Sequence, residues 1–124
     1  MPYVTITASD TLSAERKKNL LAKASTAVVE SIGAPLASVR VLLHSLATDD
    51  YLDGGQYGRP ALMLEVALIA GRTEAQKAAL IAALSRASSE ATGVSEDDVR
   101  VRLYDIPTTD MGMAGGITAK QAGR

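Results

Sequence analysis

The chain has 124 residues, of which 47% are apolar, and its 13 Lys and Arg side chains nearly balance 14 Asp and Glu for a net charge of −1. This composition is typical of one globular domain, and it lacks the basic excess of proteins that bind nucleic acid or anionic membranes. The absence of Cys and the presence of a single His, His44, exclude disulfides and thiolate chemistry, and we expect no metal site.

The first elements in chain order are a strand, a helix and a second strand. Val4 and Ile6 alternate with threonines, which is typical of a strand with one buried face. Ser13 is a favourable N-cap, and apolar residues at spacings of three and four precede a stop at Gly33, which predicts a helix. The apolar segment 39–43 predicts another strand. This order is a βαβ unit.

The second half of the chain has the same order. Residues 64–68 alternate between apolar and other side chains and predict a strand. Thr73 and Gln76 have the spacing of a reciprocal capping box, at the start of a helix that should stop at Gly93. Residues 99–103 then predict the last strand.

The two halves are a sequence repeat with a period of 60 residues. Identical residues recur at this spacing without a gap, as in Val39 and Val99, Lys17 and Lys77, Leu20 and Leu80, Glu30 and Glu90, and Gly33 and Gly93. The repeat divides the chain into residues 1–58 and 59–124. Each half ends in a glycine pair, 54–55 or 115–116, that permits a short hairpin.

Two tandem βαβ units predict an α/β fold, called α+β in some schemes, within one compact domain. The crossover in each unit makes its two strands parallel. We therefore expect a four-stranded, mainly parallel-paired sheet with two helices on one face. The strands are too apolar for the other face to be fully solvated, so we expect that face and the hairpins to contact neighbouring copies of the chain.

Pro2 is the first residue with a chemical signal, because it follows Met1 directly. Removal of Met1 would leave a secondary amine, the only form in which proline acts as a base. The pKa of an α-amine is about 8, and an apolar site beside cations lowers it. Pro2 is therefore a candidate general base, although a proline at this position is more often structural.

Short motifs in both halves carry a resemblance to a known family. The second half has a strand-to-helix turn at residues 71–77, a second-strand motif at residues 99–101 and a Gly-rich segment at residues 112–116. The first half has Pro2 and the segment 33–41. Together they resemble the tautomerase superfamily, specifically its 4-oxalocrotonate tautomerase group. The resemblance covers nearly the whole chain and implies a fused, tautomerase-like member built from duplicated units.

This resemblance implies a site with an N-terminal proline as base and arginines that bind a carboxylate. The turn arginine is present as Arg72 in the second half, where the first half has Leu12. Conversely, the proline is present as Pro2 in the first half, where the second has Leu62. Because the family pairs the proline of one unit with the turn arginine of its partner unit, these complementary losses leave one complete site.

The remaining site residues follow from the same resemblance. Arg40 and Arg100 are equivalent strand arginines, and the sequence does not decide which of them faces the site. A guanidinium can bind a carboxylate through two parallel hydrogen bonds or donate to a developing oxyanion. Tyr51 stands where the family has an aromatic residue, Met111 is its counterpart, and with Leu68 they are expected to line the substrate pocket.

The resemblance implies a cofactor-independent tautomerase, an isomerase that interconverts the enol and keto forms of a small 2-oxo or dienol carboxylic acid. Two alternatives remain. One is a dehalogenase, hydratase or decarboxylase of the same superfamily, acting on a small unsaturated or 3-oxo acid. Hydration is less favoured, because the similar dehalogenases carry a second arginine just before the turn. In this chain, Arg72 is the single arginine among residues 68–72. The other alternative is a non-enzymatic oligomeric binding protein.

The expected partners are a small carboxylate substrate and further copies of the chain. Fused members of the family assemble as trimers, which implies a homotrimer. We expect no partner among nucleic acids or membranes, since no apolar stretch approaches the roughly 20 residues of a membrane span. The N-terminal residues also lack the pattern of a signal peptide, so a cytoplasmic location is expected.

Overall fold

The computed structural model describes residues 2–124. Met1, whose removal would expose the Pro2 amine, lies outside the described residues. The two halves each fold as strand, helix and strand, as predicted. The elements are β1 (Tyr3–Ser9), α1 (Ala14–Ile32), β2 (Arg40–Leu46), β3 (Leu62–Ile69), α2 (Glu74–Thr92) and β4 (Val99–Ile106).

The four strands form one mixed sheet in the order β2-β1-β3-β4. β1 is parallel to β2 and β3 is parallel to β4, whereas β1 and β3 are antiparallel at the centre. The predicted α/β fold, with a four-stranded and mainly parallel-paired sheet, is confirmed. Tyr3 lies opposite both Arg40 on β2 and Ala67 on β3, so β1 begins where β3 finishes.

This topology gives the sheet two distinct ends. We call the end at which β1 and β2 begin and β3 and β4 finish the Pro2 end. The opposite end, where β3 and β4 begin, is the Leu62 end. With β1 seven residues long, the ends are about 23 Å apart at roughly 3.3 Å per residue.

Both helices pack on the same face of the sheet and against each other, as predicted. Burial alternates along the central strands, because successive side chains point to opposite faces. The side chains that face the helices are fully buried and form a single aliphatic core with the inner faces of α1 and α2. This core includes Val4, Ile6, Leu64, Val66, Leu20, Val28, Leu80 and Leu84, each with 0% exposure.

The helix boundaries follow the predicted capping residues. The Ser13 side chain accepts a hydrogen bond from the backbone of the first turn of α1. In α2, Gln76 N donates to Thr73 Oγ1 at 3.1 Å and Thr73 N donates to Gln76 Oε1 at 2.9 Å, which is the predicted capping box. Gly33 and Gly93 end the two helices in left-handed conformation, with φ of 69° and 78°.

The sheet face away from the helices carries large apolar side chains in the single chain. Leu42 on β2 is 43% exposed and Tyr104 on β4 is 44% exposed. Between β3 and β4, Arg102 Nη2 donates to Glu65 Oε1 at 2.7 Å. The contact of this face with neighbouring copies remains a prediction.

Within residues 2–124, no helix has both the length and the apolar character that crossing a membrane would require.

Candidate active site

Pro2 lies at the Pro2 end of the central strand β1 and is buried. Less than 2% of its side chain is exposed. Its carbonyl oxygen accepts a hydrogen bond from Arg40 N at 3.1 Å, which ties the residue to the first position of β2. If a free amine at this position stays buried, its protonated form is disfavoured.

Arg72 belongs to the turn that follows β3, so it also lies at the Pro2 end. The turn begins where Ala70 N donates to Ile106 O at 2.9 Å, and it passes through Gly71, whose φ of 132° favours glycine. It ends at the capping residue Thr73. The Arg72 side chain is partly buried and makes no hydrogen bond or ion pair within residues 2–124, which leaves its donors available to a ligand.

The two strand arginines lie at opposite ends of the sheet. Arg40 is at the Pro2 end, with Cζ 5.8 Å from the centroid of the Tyr3 ring, a cation–π contact. Arg100 is opposite Met63 at the Leu62 end. There, Arg100 Nη1 donates to the backbone oxygens of Asp97 at 2.6 Å and of Val99 at 3.0 Å. Within one chain, Arg40 is therefore the strand arginine nearer to Pro2.

The three expected pocket residues are also divided between the two ends of the sheet. Leu68, with 0% exposure, lies near the finish of β3. Met111 is 7% exposed and belongs to a small second apolar cluster with Ile69 and Ala119, against which Tyr3 packs. Both residues are thus at the Pro2 end. Tyr51 is partly buried in the segment after β2, a strand that finishes at the Leu62 end.

The Leu62 end carries different chemistry at the equivalent positions. Leu62 is buried, with 1% exposure, and its nitrogen is an internal amide. Leu12, the counterpart of Arg72, packs against the aliphatic core. Near this end, Arg59 forms ion pairs with Asp53 at 3.3 Å and Asp98 at 3.8 Å. This end therefore offers neither a free amine nor a turn arginine.

An ion pair between Lys77 and Asp105 is the feature of the Pro2 end that sequence reasoning missed. Lys77 Nζ donates to Asp105 Oδ2 across 28 residues of sequence, joining the first turn of α2 to β4. Asp105 lies opposite Leu68. The repeat does not indicate this pair, because the lysine recurs at position 17 but the position equivalent to Asp105 holds Ser45.

The chemistry that this end can support follows from these positions. A deprotonated nitrogen at Pro2 could accept a proton, and the Arg72 guanidinium, which has no partner among residues 2–124, could bind an anion. Carboxylate-bearing substrates with an exchangeable proton fit this combination.

The family model described as Tautomerase enzyme matches the chain twice, over residues 2–59 and 63–121. The chain belongs to this family, and the resemblance predicted from its motifs is confirmed.

Individual relatives agree with the duplicated arrangement. A 2-hydroxymuconate tautomerase of Pseudomonas putida is 45% identical over 60 residues, which are 94% of that protein and 48% of this chain. The structure of Pt0534 inactivated by 2-oxo-3-pentynoate is 61% identical, with a TM-score of 0.97, over 98% of this chain and 99% of the other. A fused 4-OT, described as the Q0 wild-type symmetric trimer, is 47% identical with a TM-score of 0.96 over the same shares.

Proposed function

We propose that this protein is a tautomerase that interconverts the enol and keto forms of a small 2-oxo carboxylic acid, with Pro2 as general base. The observation that carries the proposal is that Pro2 and Arg72, which come from different halves of the chain, lie at the same end of the sheet. The similar protein from Pseudomonas putida is a 2-hydroxymuconate tautomerase, which favours a dienol carboxylate as substrate.

The reaction would proceed by transfer of one proton. With Met1 removed, the unprotonated Pro2 nitrogen takes the proton of the enol hydroxyl, and the oxygen becomes a carbonyl. The protonated amine then returns a proton to a carbon of the same substrate, so that the product is an isomer and Pro2 regains its starting state. No atom other than hydrogen moves, and the proposed reaction needs no cofactor.

Arginines would bind the carboxylate and the oxygen that gains charge. Arg72 is proposed for the carboxylate, because its partly buried guanidinium has no partner within residues 2–124. For the oxyanion, Arg40 is the strand arginine of the same chain at the Pro2 end. Arg100 is level with Met63 and Thr7, which places it about 17 Å from Pro2 along the strands at roughly 3.3 Å per residue, so it would serve a Pro2 site only from another copy of the chain.

The proposed function is tested by ketonisation of 2-hydroxymuconate and of a simple enolpyruvate, followed by the loss of enol absorbance. We expect both to be converted well above the solvent rate by protein whose first residue is Pro2. Mass spectrometry of the intact chain establishes that Met1 is absent in the sample. Turnover of neither enol, with turnover of an unsaturated 3-halo acid or a 3-oxo acid instead, would contradict the proposal in favour of a dehalogenase or decarboxylase.

We also propose a homotrimer, and this is a prediction for sedimentation equilibrium at micromolar concentration. The support is the exposed apolar side chains on the sheet face away from the helices, together with the trimeric state of the similar fused 4-OT. Leu42→Asp should shift the protein towards monomer, because a charge would be buried in the interface. Ile81→Asp is the matched control on α2, since Ile81 is exposed to a similar degree, 39% against 43%. A wild-type monomer would refute the trimer.

The other proposed partner is the small carboxylate substrate. The net charge of −1 gives no reason to add a nucleic acid. The cytoplasmic location expected from the sequence also remains a prediction.

A further inference from the structure

The turn that carries Arg72 contacts two adjacent residues of β4, one from the residues before the arginine and one from the residues after it. On one side, Ala70 N donates to Ile106 O at 2.9 Å. On the other, Lys77 forms the ion pair with Asp105, the residue directly before Ile106. The backbone of Lys77 also donates to Thr73 O at 3.0 Å. The segment 70–77, which contains Arg72, is therefore attached to the end of β4 on both sides of the arginine.

The first half of the chain supplies an internal comparison, because the same turn occurs there without the arginine. Its backbone contacts are present: Asp10 N donates to Leu46 O at 2.9 Å, and Lys17 N donates to Ser13 O at 3.0 Å. The ion pair is not, since Ser45 replaces the aspartate and Lys17 has no ion pair within residues 2–124. The backbone turn forms without the ion pair.

The helix caps that follow the two turns also differ, and again the second half has the additional contact. In α2, Thr73 and Gln76 bond reciprocally. In α1, position 16 is an arginine whose Nη1 donates instead to Thr92 O at 2.7 Å, so the reciprocal bond is missing. Both extra restraints thus occur only in the half that kept the arginine.

We propose that the Lys77–Asp105 pair is a positioning device for Arg72, which holds the turn in the orientation that binds the substrate carboxylate. This inference rests on the proposed tautomerase function. Lys77 and Asp105 act through the turn and do not touch substrate. The side chains of the pair are 32% and 40% exposed, so solvent weakens their attraction, and we expect an effect on kcat/KM of about two- to fivefold.

The experiment compares Lys77→Met, Asp105→Asn and the double variant in the protein that begins at Pro2. Both single changes should raise KM by about two- to fivefold with little change in kcat, because they remove one shared contact. The double variant should lose no more than either single variant. Lys17→Met is the matched control, since it removes the equivalent lysine of the first half, and it should leave KM unchanged.

A second cycle tests whether the pair acts through Arg72. In an Arg72→Ala background, Lys77→Met should have no further effect on KM, because the group that it positions is gone. The exchanged pair, Lys77→Asp with Asp105→Lys, should recover part of the lost affinity. Thermal unfolding of every variant separates these effects from a loss of folding.

Three results would overturn the positioning role. A loss in Lys77→Met with no loss or a gain in Asp105→Asn would show that the lysine binds substrate directly. Full additivity of Lys77→Met with Arg72→Ala would show that the pair acts independently of the arginine. Wild-type KM in both single variants would show that the pair has no role. Failure of the tautomerase proposal is recognised separately, because the wild-type protein itself would then convert no enol.

Discussion

Protein that begins at Pro2 should ketonise a simple enolpyruvate, whereas the same protein with one additional N-terminal residue should lose nearly all of this activity. The extra residue converts the Pro2 nitrogen into an amide, which has no basic lone pair. A positioned general base contributes about a hundredfold to ten-thousandfold to the rate, so a loss of this order is expected in kcat/KM. The trimer should persist, because the change affects one residue at the end of β1.

The pH dependence of kcat/KM is a second test of the Pro2 nitrogen as the base. Only the unprotonated amine accepts a proton, so kcat/KM should rise with pH through one limb that reports the pKa of Pro2. Desolvation of the amine and the positive charge of the arginines at this end of the sheet would both disfavour the cation, so we expect this pKa to lie below about 8, the ordinary value of an α-amine. The extended protein should lack this limb.

Pro2→Ala is the control for the identity of the base. It keeps an amine at the same place, now a primary one, so it should lower kcat/KM without necessarily abolishing activity. Equal turnover by the authentic and the extended protein would mean that Pro2 is not the base, and the proposed mechanism would then be wrong.

Arg72→Ala should lower kcat/KM by about tenfold to a hundredfold. The expected loss corresponds to about 1.5 to 3 kcal/mol, the usual contribution of a hydrogen bond to a charged group. If the arginine binds the carboxylate equally in the bound substrate and the transition state, the loss should occur mainly as a higher KM. Steady-state kinetics with the same enol substrate measures both parameters.

Arg86→Ala is the matched control for the loss of one positive charge, because Arg86 is an exposed arginine of α2, outside the turn that carries Arg72. It should leave the kinetic parameters unchanged, and Lys77→Ala should have a much smaller effect than Arg72→Ala. Small and equal effects of all three substitutions would count against Arg72 as the carboxylate ligand.

The sequence was sufficient to predict the elements, because their signals are local. Ser13, Thr73 and Gln76 cap the helices where the pattern places them, and the glycines at 33 and 93 end them. The repeat then predicted two equal units. It could not predict how the units join, since strand order depends on contacts between β1 and β3, which have no local signature.

That junction decides which candidate residues share an end of the sheet. Arg40 and Arg100 are equivalent in the repeat, and only the antiparallel pairing of β1 with β3 separates them relative to Pro2. Likewise, the contact between Lys77 and Asp105 depends on the packing of α2 against β4, which the sequence alone does not predict.

Ser88 is a second feature that the sequence pattern did not predict. It stands where the first half has Val28, and its hydroxyl is fully buried with no hydrogen-bond partner within residues 2–124. Nothing in the structure explains this substitution.

The covalent link between the halves has a consequence for the evolution of the Leu62 end. A chain has a single N-terminus, so β3 begins at an amide nitrogen whatever residue stands at position 62. Point mutation could restore an arginine at position 12, but it could never restore the amine. That end is therefore closed to chemistry that needs an N-terminal α-amine. Its side chains can change while the Pro2 end, encoded elsewhere in the same gene, keeps its own.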